Sequence, residues 1–126
     1  MNEENKFLLV DDDEIFLFTA GYALNRAFPG FDIITSRNGE DALDRLTDIV
    51  PKALFVDLNM PLMDGWELLD KLAQSKKKTP YPIIIVTSSI DPNDKKRADS
   101  HELEPLFVEK PLTEEKIMEL NLSQSW

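Results

Sequence analysis

Five short apolar runs, rich in β-branched and aromatic residues, alternate with five helix-length segments along this 126-residue chain. The runs fall at 6–10, 31–35, 53–56, 82–86 and 106–108, and the helices at roughly 14–27, 39–49, 65–74, 92–100 and 113–121. Buried parallel strands read as near-continuous apolar stretches, and Ile83-Ile84-Ile85-Val86 is the clearest case. Gly39, Asp64-Gly65, Asp91-Pro92 and Pro111 punctuate the joins. Strict βα alternation needs right-handed crossovers. It predicts an α/β fold with a doubly wound, five-stranded parallel sheet covered by helices on both faces. The length suits a single domain over residues 1–126, and no repeat or linker interrupts it.

Composition narrows the partners. The formal charge is −10, from 24 acidic and 14 basic residues, so nucleic acid and anionic membranes would be repelled. The basic runs Lys76-Lys77-Lys78 and Lys95-Lys96-Arg97 are short enough to be solvated helix ends or loops. With no cysteine there is no disulfide, thiolate metal site or cysteine nucleophile. The polar N-terminus lacks a signal-peptide layout, and no apolar stretch approaches the ~20 residues of a membrane helix. The expectation is a cytoplasmic protein.

Most helices carry one apolar stripe: Ala42, Leu43, Leu46 and Val50 in the second, Leu68, Leu69 and Leu72 in the third. The first is apolar nearly all round. If Phe16, Ala20, Ala23, Leu24 and Ala27 face the sheet, Ile15, Phe18 and Tyr22 point elsewhere. They are then either partly covered by a neighbouring helix or left as a docking surface.

Four of the strand-like runs end in polar groups suited to phosphoryl chemistry. Leu8-Leu9-Val10 precedes Asp11-Asp12, Ala53-Leu54-Phe55-Val56 precedes Asp57, Ile83-Ile84-Ile85-Val86 precedes Thr87-Ser88, and Leu106-Phe107-Val108 precedes Lys110-Pro111. In open α/β sheets the C-terminal rim of the strands is where ligands bind. If the first and third strands are neighbours, Asp11, Asp12 and Asp57 converge. Such carboxylates repel, and the usual resolution is a bound cation or a raised pKa. Oxygen-only ligands select a hard ion, and few protein ligands with space for water and phosphate suit Mg²⁺. Asp57 could attack phosphorus and form an acyl phosphate. Lys110 would then supply positive charge and Thr87 a hydroxyl donor. Asp13 reads as a cap on the following helix. His101, the only histidine, has no rim position and is expected at the surface.

Taken in order, Leu9-Val10-Asp11-Asp12, Val56-Asp57-Leu58-Asn59-Met60-Pro61 with Met63-Asp64-Gly65, Val86-Thr87-Ser88, and Phe107-Val108-Glu109-Lys110-Pro111 resemble the CheY-like receiver domain of two-component response regulators. The resemblance covers essentially the whole chain. It implies a sheet in the order 2-1-3-4-5, and Asp57 as acceptor of phosphate from a histidine kinase or histidine phosphotransfer protein. It implies that Mg²⁺ is bound by Asp12 and Asp57 through side chains, Asn59 through its backbone carbonyl, and Asp11 through water. Thr87 and Lys110 would hold the phosphoryl group, and the Lys110–Pro111 bond would be cis, which proline makes affordable.

The resemblance further implies a switch that couples Thr87 to Phe107, whose ring turns inward on phosphorylation; the alternative is a plain core phenylalanine. Asn59 and Ser89 occupy positions that influence how long the acyl phosphate survives, and both are neutral. Ser100-His101-Glu102-Leu103-Glu104-Pro105 lacks the Gly-Ala often found before the last strand, which leaves the output surface and the downstream protein target undefined. The same residues weigh against two other functions. A phosphatase of the haloacid-dehalogenase type needs an acid two residues after the nucleophile, where this chain has Asn59. A phosphorylation-independent interaction module need not keep Asp11, Asp12, Asp57, Thr87 and Lys110 together.

Overall fold

A computed structural model describes residues 5–75, 79–89 and 91–126, the Ser125 side chain excepted. The basic run Lys76-Lys77-Lys78 and the first four residues lie outside the described residues. Strands β1 (Lys6–Val10), β2 (Asp32–Ser36), β3 (Ala53–Val56), β4 (Ile83–Thr87) and β5 (Leu106–Glu109) alternate with α1 (Glu14–Ala27), α2 (Gly39–Asp48), α3 (Gly65–Gln74), α4 (Pro92–Ser100) and α5 (Glu114–Glu119). All strand pairs are parallel, in the order β2-β1-β3-β4-β5. The resemblance implied this order.

Alternation along the strands divides the core in two. Leu8, Val10, Leu54, Val56, Ile83 and Ile85 face one way, toward Ala42 of α2, Leu68, Leu69 and Leu72 of α3 and Ala98 of α4. Phe7, Leu9, Phe55, Ile84 and Val86 face the other, toward Phe16, Ala20 and Leu24 of α1 and Ile117 of α5. β3 and β4 are buried throughout, as central strands covered on both faces must be. β2 and β5 are the partly exposed edges. At the N-terminal end of β1, Phe7 packs with Phe28, Phe31 and Trp126, ring centroids 4.8–6.2 Å apart. Among the described residues no helix is long and apolar enough to cross a membrane.

Side-chain caps set the helix starts. Asp13, Asn38, Asp64, Asp91 and Thr113 each accept a backbone N–H of the first turn, and Asp64 with Glu67 forms a reciprocal capping box. The ends differ from the sequence expectation in small ways. β4 reaches Thr87, which is therefore a strand residue. α2 stops at Asp48, so Val50 leaves the expected stripe and is 58 % exposed. α5 is six residues long and gives way to a 3-10 turn over Leu122–Ser125, entered through Asn121 at φ 54°.

Two glycines bring helices against the rim. A Cβ on Gly65 would collide with the Asp57 carbonyl oxygen and lie 2.9 Å from the Leu58 Cα, both backbone atoms that cannot swing aside. A Cβ on Gly39 would meet only the Met63 side chain, at 2.7–2.9 Å. Gly65→Ala should therefore lower stability by about 1–3 kcal/mol. Gly39→Ala should cost less, because methionine repacks readily. Urea unfolding of both variants checks the order; equal losses would contradict it.

Candidate functional site

The rim is built by continuing the sheet one residue past its strands. Asp57 donates its backbone N–H to the Val10 carbonyl at 3.0 Å, Asp11 to Ser36 at 3.0 Å, and Lys110 to Thr87 at 2.9 Å. Each chemistry-bearing residue thus leaves a strand end that its neighbour holds in place. Because β1 lies beside β3, carboxylate oxygens of Asp11, Asp12 and Asp57 come within 4.8 Å of one another. Asp11 and Asp57 are buried and Asp12 is exposed.

Lys110 reaches into this cluster from β5. Its Nζ lies 2.8 Å from Asp11 Oδ2 and 3.8 Å from Asp57 Oδ2. The ammonium also sits 4.2 Å from the ring centroid of Phe16, a contact that Phe16's expected role as a core residue did not anticipate. The Lys110–Pro111 bond is cis. Asp11 Oδ1 accepts the Asp13 N–H at 2.9 Å, which fixes the turn into α1. Asp11 Oδ2 is buried, and the Lys110 ammonium at 2.8 Å is its close counter-charge among the described residues.

One ammonium does not balance three carboxylates, and the titration behaviour follows. Burial first, then the Asp11 charge, push the Asp57 carboxyl up to about 6 against the pull of Lys110 and the backbone N–H groups of Asn59 and Leu58. Asp11 is also raised, chiefly by burial and in spite of Lys110. A cation with hard oxygen preference fits this cluster: all donors are oxygens, and the single ammonium that reaches it lies 2.8 Å from Asp11 but 3.8 Å from Asp57.

The other candidate residues are placed as follows. Thr87 is fully buried at the end of β4, its Oγ1 accepting the Ser89 N–H at 3.2 Å. Phe107 is half-buried on the sheet face shared with Ile85, against the α2–α4 side of the core. Asn59 is exposed in the loop after β3. Ile15, Phe18 and Tyr22 are 75 %, 76 % and 62 % exposed, so α5 and the neighbouring helices leave that face of α1 uncovered. Beside it, a shallow groove of about 540 Å³ runs between α1 and β2, lined by Leu17, Phe18, Gly21, Tyr22, Ile33 and Thr35.

His101 departs from expectation. Its side chain is only 9 % exposed and stacks on Trp66 at 6.1 Å. Nδ1 accepts the Leu103 N–H at 3.1 Å, leaving Nε2 to donate to Asp70 at 3.0 Å. The turn that buries it carries Glu104 at φ 51°, where a glycine would be unstrained. Lys95 and Lys96 are exposed on α4, as expected of a solvated face, but Arg97 stacks on Trp66 at 4.6 Å.

The raised Asp57 pKa fixes the sign of a stability effect. The folded carboxyl holds its proton more tightly than the unfolded one, at about 6 against 3.8. That contribution is complete below about pH 4 and lost as pH rises through 6. Without divalent cation, Asp57→Asn should stabilise the protein at pH 8, by on the order of 2–3 kcal/mol at most, and give no gain near pH 4. Thermal unfolding at both values in chelator tests this. A variant less stable than wild type at pH 8 would refute it.

Comparison with known proteins agrees with the geometry. The model of the response regulator receiver domain matches residues 7–121. The protein-glutamate methylesterase/protein-glutamine glutaminase of Halalkalibacterium halodurans is 34 % identical over 106 residues, 82 % of this chain and 30 % of that protein. The alkaline phosphatase synthesis transcriptional regulatory protein PhoP of Bacillus subtilis is 34 % identical over 90 residues, 71 % of this chain and 36 % of that protein. The chain spans about a third of the length of these relatives. A two-component response regulator from Cytophaga hutchinsonii superposes with a TM-score of 0.84 at 28 % identity, covering 94 % of this chain and 93 % of that one. A fold, a rim and a sequence match that agree over nearly the whole chain place it in the response regulator receiver domain family.

Proposed function

We propose that this receiver takes a phosphoryl group on Asp57 from a sensor histidine kinase or histidine phosphotransfer protein, in a Mg²⁺-dependent reaction, and thereby switches its contacts with a downstream protein. The observation that carries this reading is the convergence of Asp11, Asp12 and Asp57 within 4.8 Å, with the Lys110 ammonium between Asp11 and Asp57. In the transfer an Asp57 oxygen attacks phosphorus. The new P–O bond forms as the P–N bond to the donor imidazole breaks, and the imidazole leaves with a proton. Lys110, poised 3.8 Å from Asp57, meets the charge developing on the phosphoryl oxygens, and Thr87 donates its hydroxyl to one of them.

Asp12 and Asp57 would hold the ion by side chains, Asn59 by its backbone carbonyl and Asp11 through water. Bound there, Mg²⁺ supplies two positive charges where the cluster has an excess of negative ones. The chain's catalysis is confined to its own phosphorylation and dephosphorylation, which Asn59 and Ser89 would tune. Retention of the complete rim set disfavours the phosphorylation-independent module.

Ile15, Phe18 and Tyr22 supply a surface for the phosphodonor, since exposed apolar groups on a helix that starts two residues past the acidic pair are suited to a helical partner. Coupling of Thr87 to Phe107 would carry the change to the face formed by α4, β5 and α5.

Incubation with Mg²⁺ and acetyl phosphate should add one phosphoryl group by intact mass, acid-stable and base-labile, and absent in Asp57→Asn. A wild-type chain that stays unmodified with both acetyl phosphate and phosphohistidine donors would sink the reading. Phe18→Ser with Tyr22→Ser should slow transfer from the kinase by about tenfold or more and leave acetyl phosphate labelling unchanged. Equal loss with both donors would indicate a damaged fold.

A further inference from the structure

A second polar cluster lies behind the rim, on the α3–α4 side. Asp94, in the first turn of α4, accepts from Ser89 Oγ at 2.7 Å through one oxygen and from the Trp66 indole Nε1–H at 3.2 Å through the other. Trp66 is a buried residue of the first turn of α3. Ser89 in turn donates its backbone N–H to Thr87 Oγ1 and accepts the Asp91 N–H with its hydroxyl at 3.3 Å. One carboxylate therefore joins three elements: the loop after β4, the start of α4 and the start of α3.

The far side of Trp66 is fixed as well. The Arg97 guanidinium lies 4.6 Å from the ring and the His101 imidazole stacks on it at 6.1 Å, while Asp70 of α3 receives both Arg97, at 3.8 Å, and His101, at 3.0 Å. Trp66 is held from two directions and makes a stiff anchor.

We propose that Asp94 is a positioning residue: through Ser89 it pins Thr87 in the arrangement of the unphosphorylated protein, with Trp66 as the fixed point. The inference rests on the reading that Asp57 is phosphorylated and that Thr87 then moves toward it. The geometry gives the coupling. Any shift of Thr87 Oγ1 away from the Ser89 N–H either breaks that bond or draws Ser89 along. Ser89 can follow only by leaving Asp94 or by pulling Asp94 off the indole. Coupling of this kind is reciprocal, so whatever breaks the clamp also favours the phosphorylated arrangement.

Two variants and one spectroscopic signal test the clamp. The chain has two tryptophans, so its indole N–H region holds two NMR signals, and Trp66→Phe assigns them. Phosphorylation by acetyl phosphate with Mg²⁺ is expected to shift the Trp66 signal. Asp94→Ala and Ser89→Ala are each expected to accelerate labelling by about three- to tenfold, the order of magnitude of one side-chain hydrogen bond. Both should also move the Thr87 amide signal, before any phosphate is added, toward its position in the phosphorylated wild type. A Trp66 signal unmoved by full phosphorylation, or variants labelled at the wild-type rate or more slowly, would overturn the clamp and leave the phosphoacceptor reading standing. Failure of the wild type to take any phosphoryl group would overturn both. If Asp94→Ala does not fold, Ser89→Ala decides, because it removes the hydroxyl and leaves Asp94 and Trp66 paired.

Discussion

Three carboxylates at the end of two adjacent parallel strands, faced by one ammonium, are the interaction on which the rest of the site depends. The sheet order makes the arrangement unavoidable. With β1 beside β3, residues that leave the two strands at the same level must meet. Burial of these carboxylates, joined at Asp57 by the Asp11 charge, is a destabilising term that the fold carries, and it raises the pKa of both Asp11 and Asp57. Such a site is poised for positive charge and for a group that needs positive charge around it.

The remainder of the fold can carry that strain because the surrounding backbone is over-determined. The rim residues are tied to neighbouring strands by main-chain hydrogen bonds, and buried β3 and β4 supply a stiff platform on both faces. Gly65 lets α3 start in contact with the Asp57 carbonyl, so the loop bearing Asn59 is closed tightly at both ends. Past Thr87, Ser89 is held by side-chain hydrogen bonds to Thr87 and Asp94 rather than by the sheet ladder. That division, a rigid acceptor and a restrained but movable hydroxyl, is what a phosphorylation switch requires.

The fold was legible because its signals are local or periodic. The apolar runs of β1 and β3 coincide with the observed strands, and Asp13 and Asp64 mark helix starts by their capping chemistry. Boundaries slipped where a polar residue continues a ladder, as Thr87 does in β4, or where an apolar residue outlasts its helix, as Val50 does after α2. The acidic cluster could be read because Asp11-Asp12 ends one apolar run and Asp57 another. The Trp66–Asp94 pair could not, since its members are 28 residues apart and a tryptophan in a helix reads as ordinary core. His101 was misplaced for a related reason: burial there depends on a turn with Glu104 in the left-handed region, which sequence composition does not announce. That Ile15, Phe18 and Tyr22 turn away from the sheet was legible because an all-round apolar helix can bury only part of itself; that no neighbouring helix covers them was not.

The most direct test of the electrostatic account is an NMR titration of the Asp57 carboxyl carbon with pH, in chelator and again with excess Mg²⁺. A midpoint near 6 in chelator, falling well below that when Mg²⁺ is added, would show that burial and the neighbouring Asp11 charge disfavour ionised Asp57 and that a hard cation relieves this. An ordinary carboxylate midpoint near 4 that Mg²⁺ leaves unmoved would contradict the account, because neither burial nor the neighbouring Asp11 charge would then be acting on Asp57, and no cation would be held there.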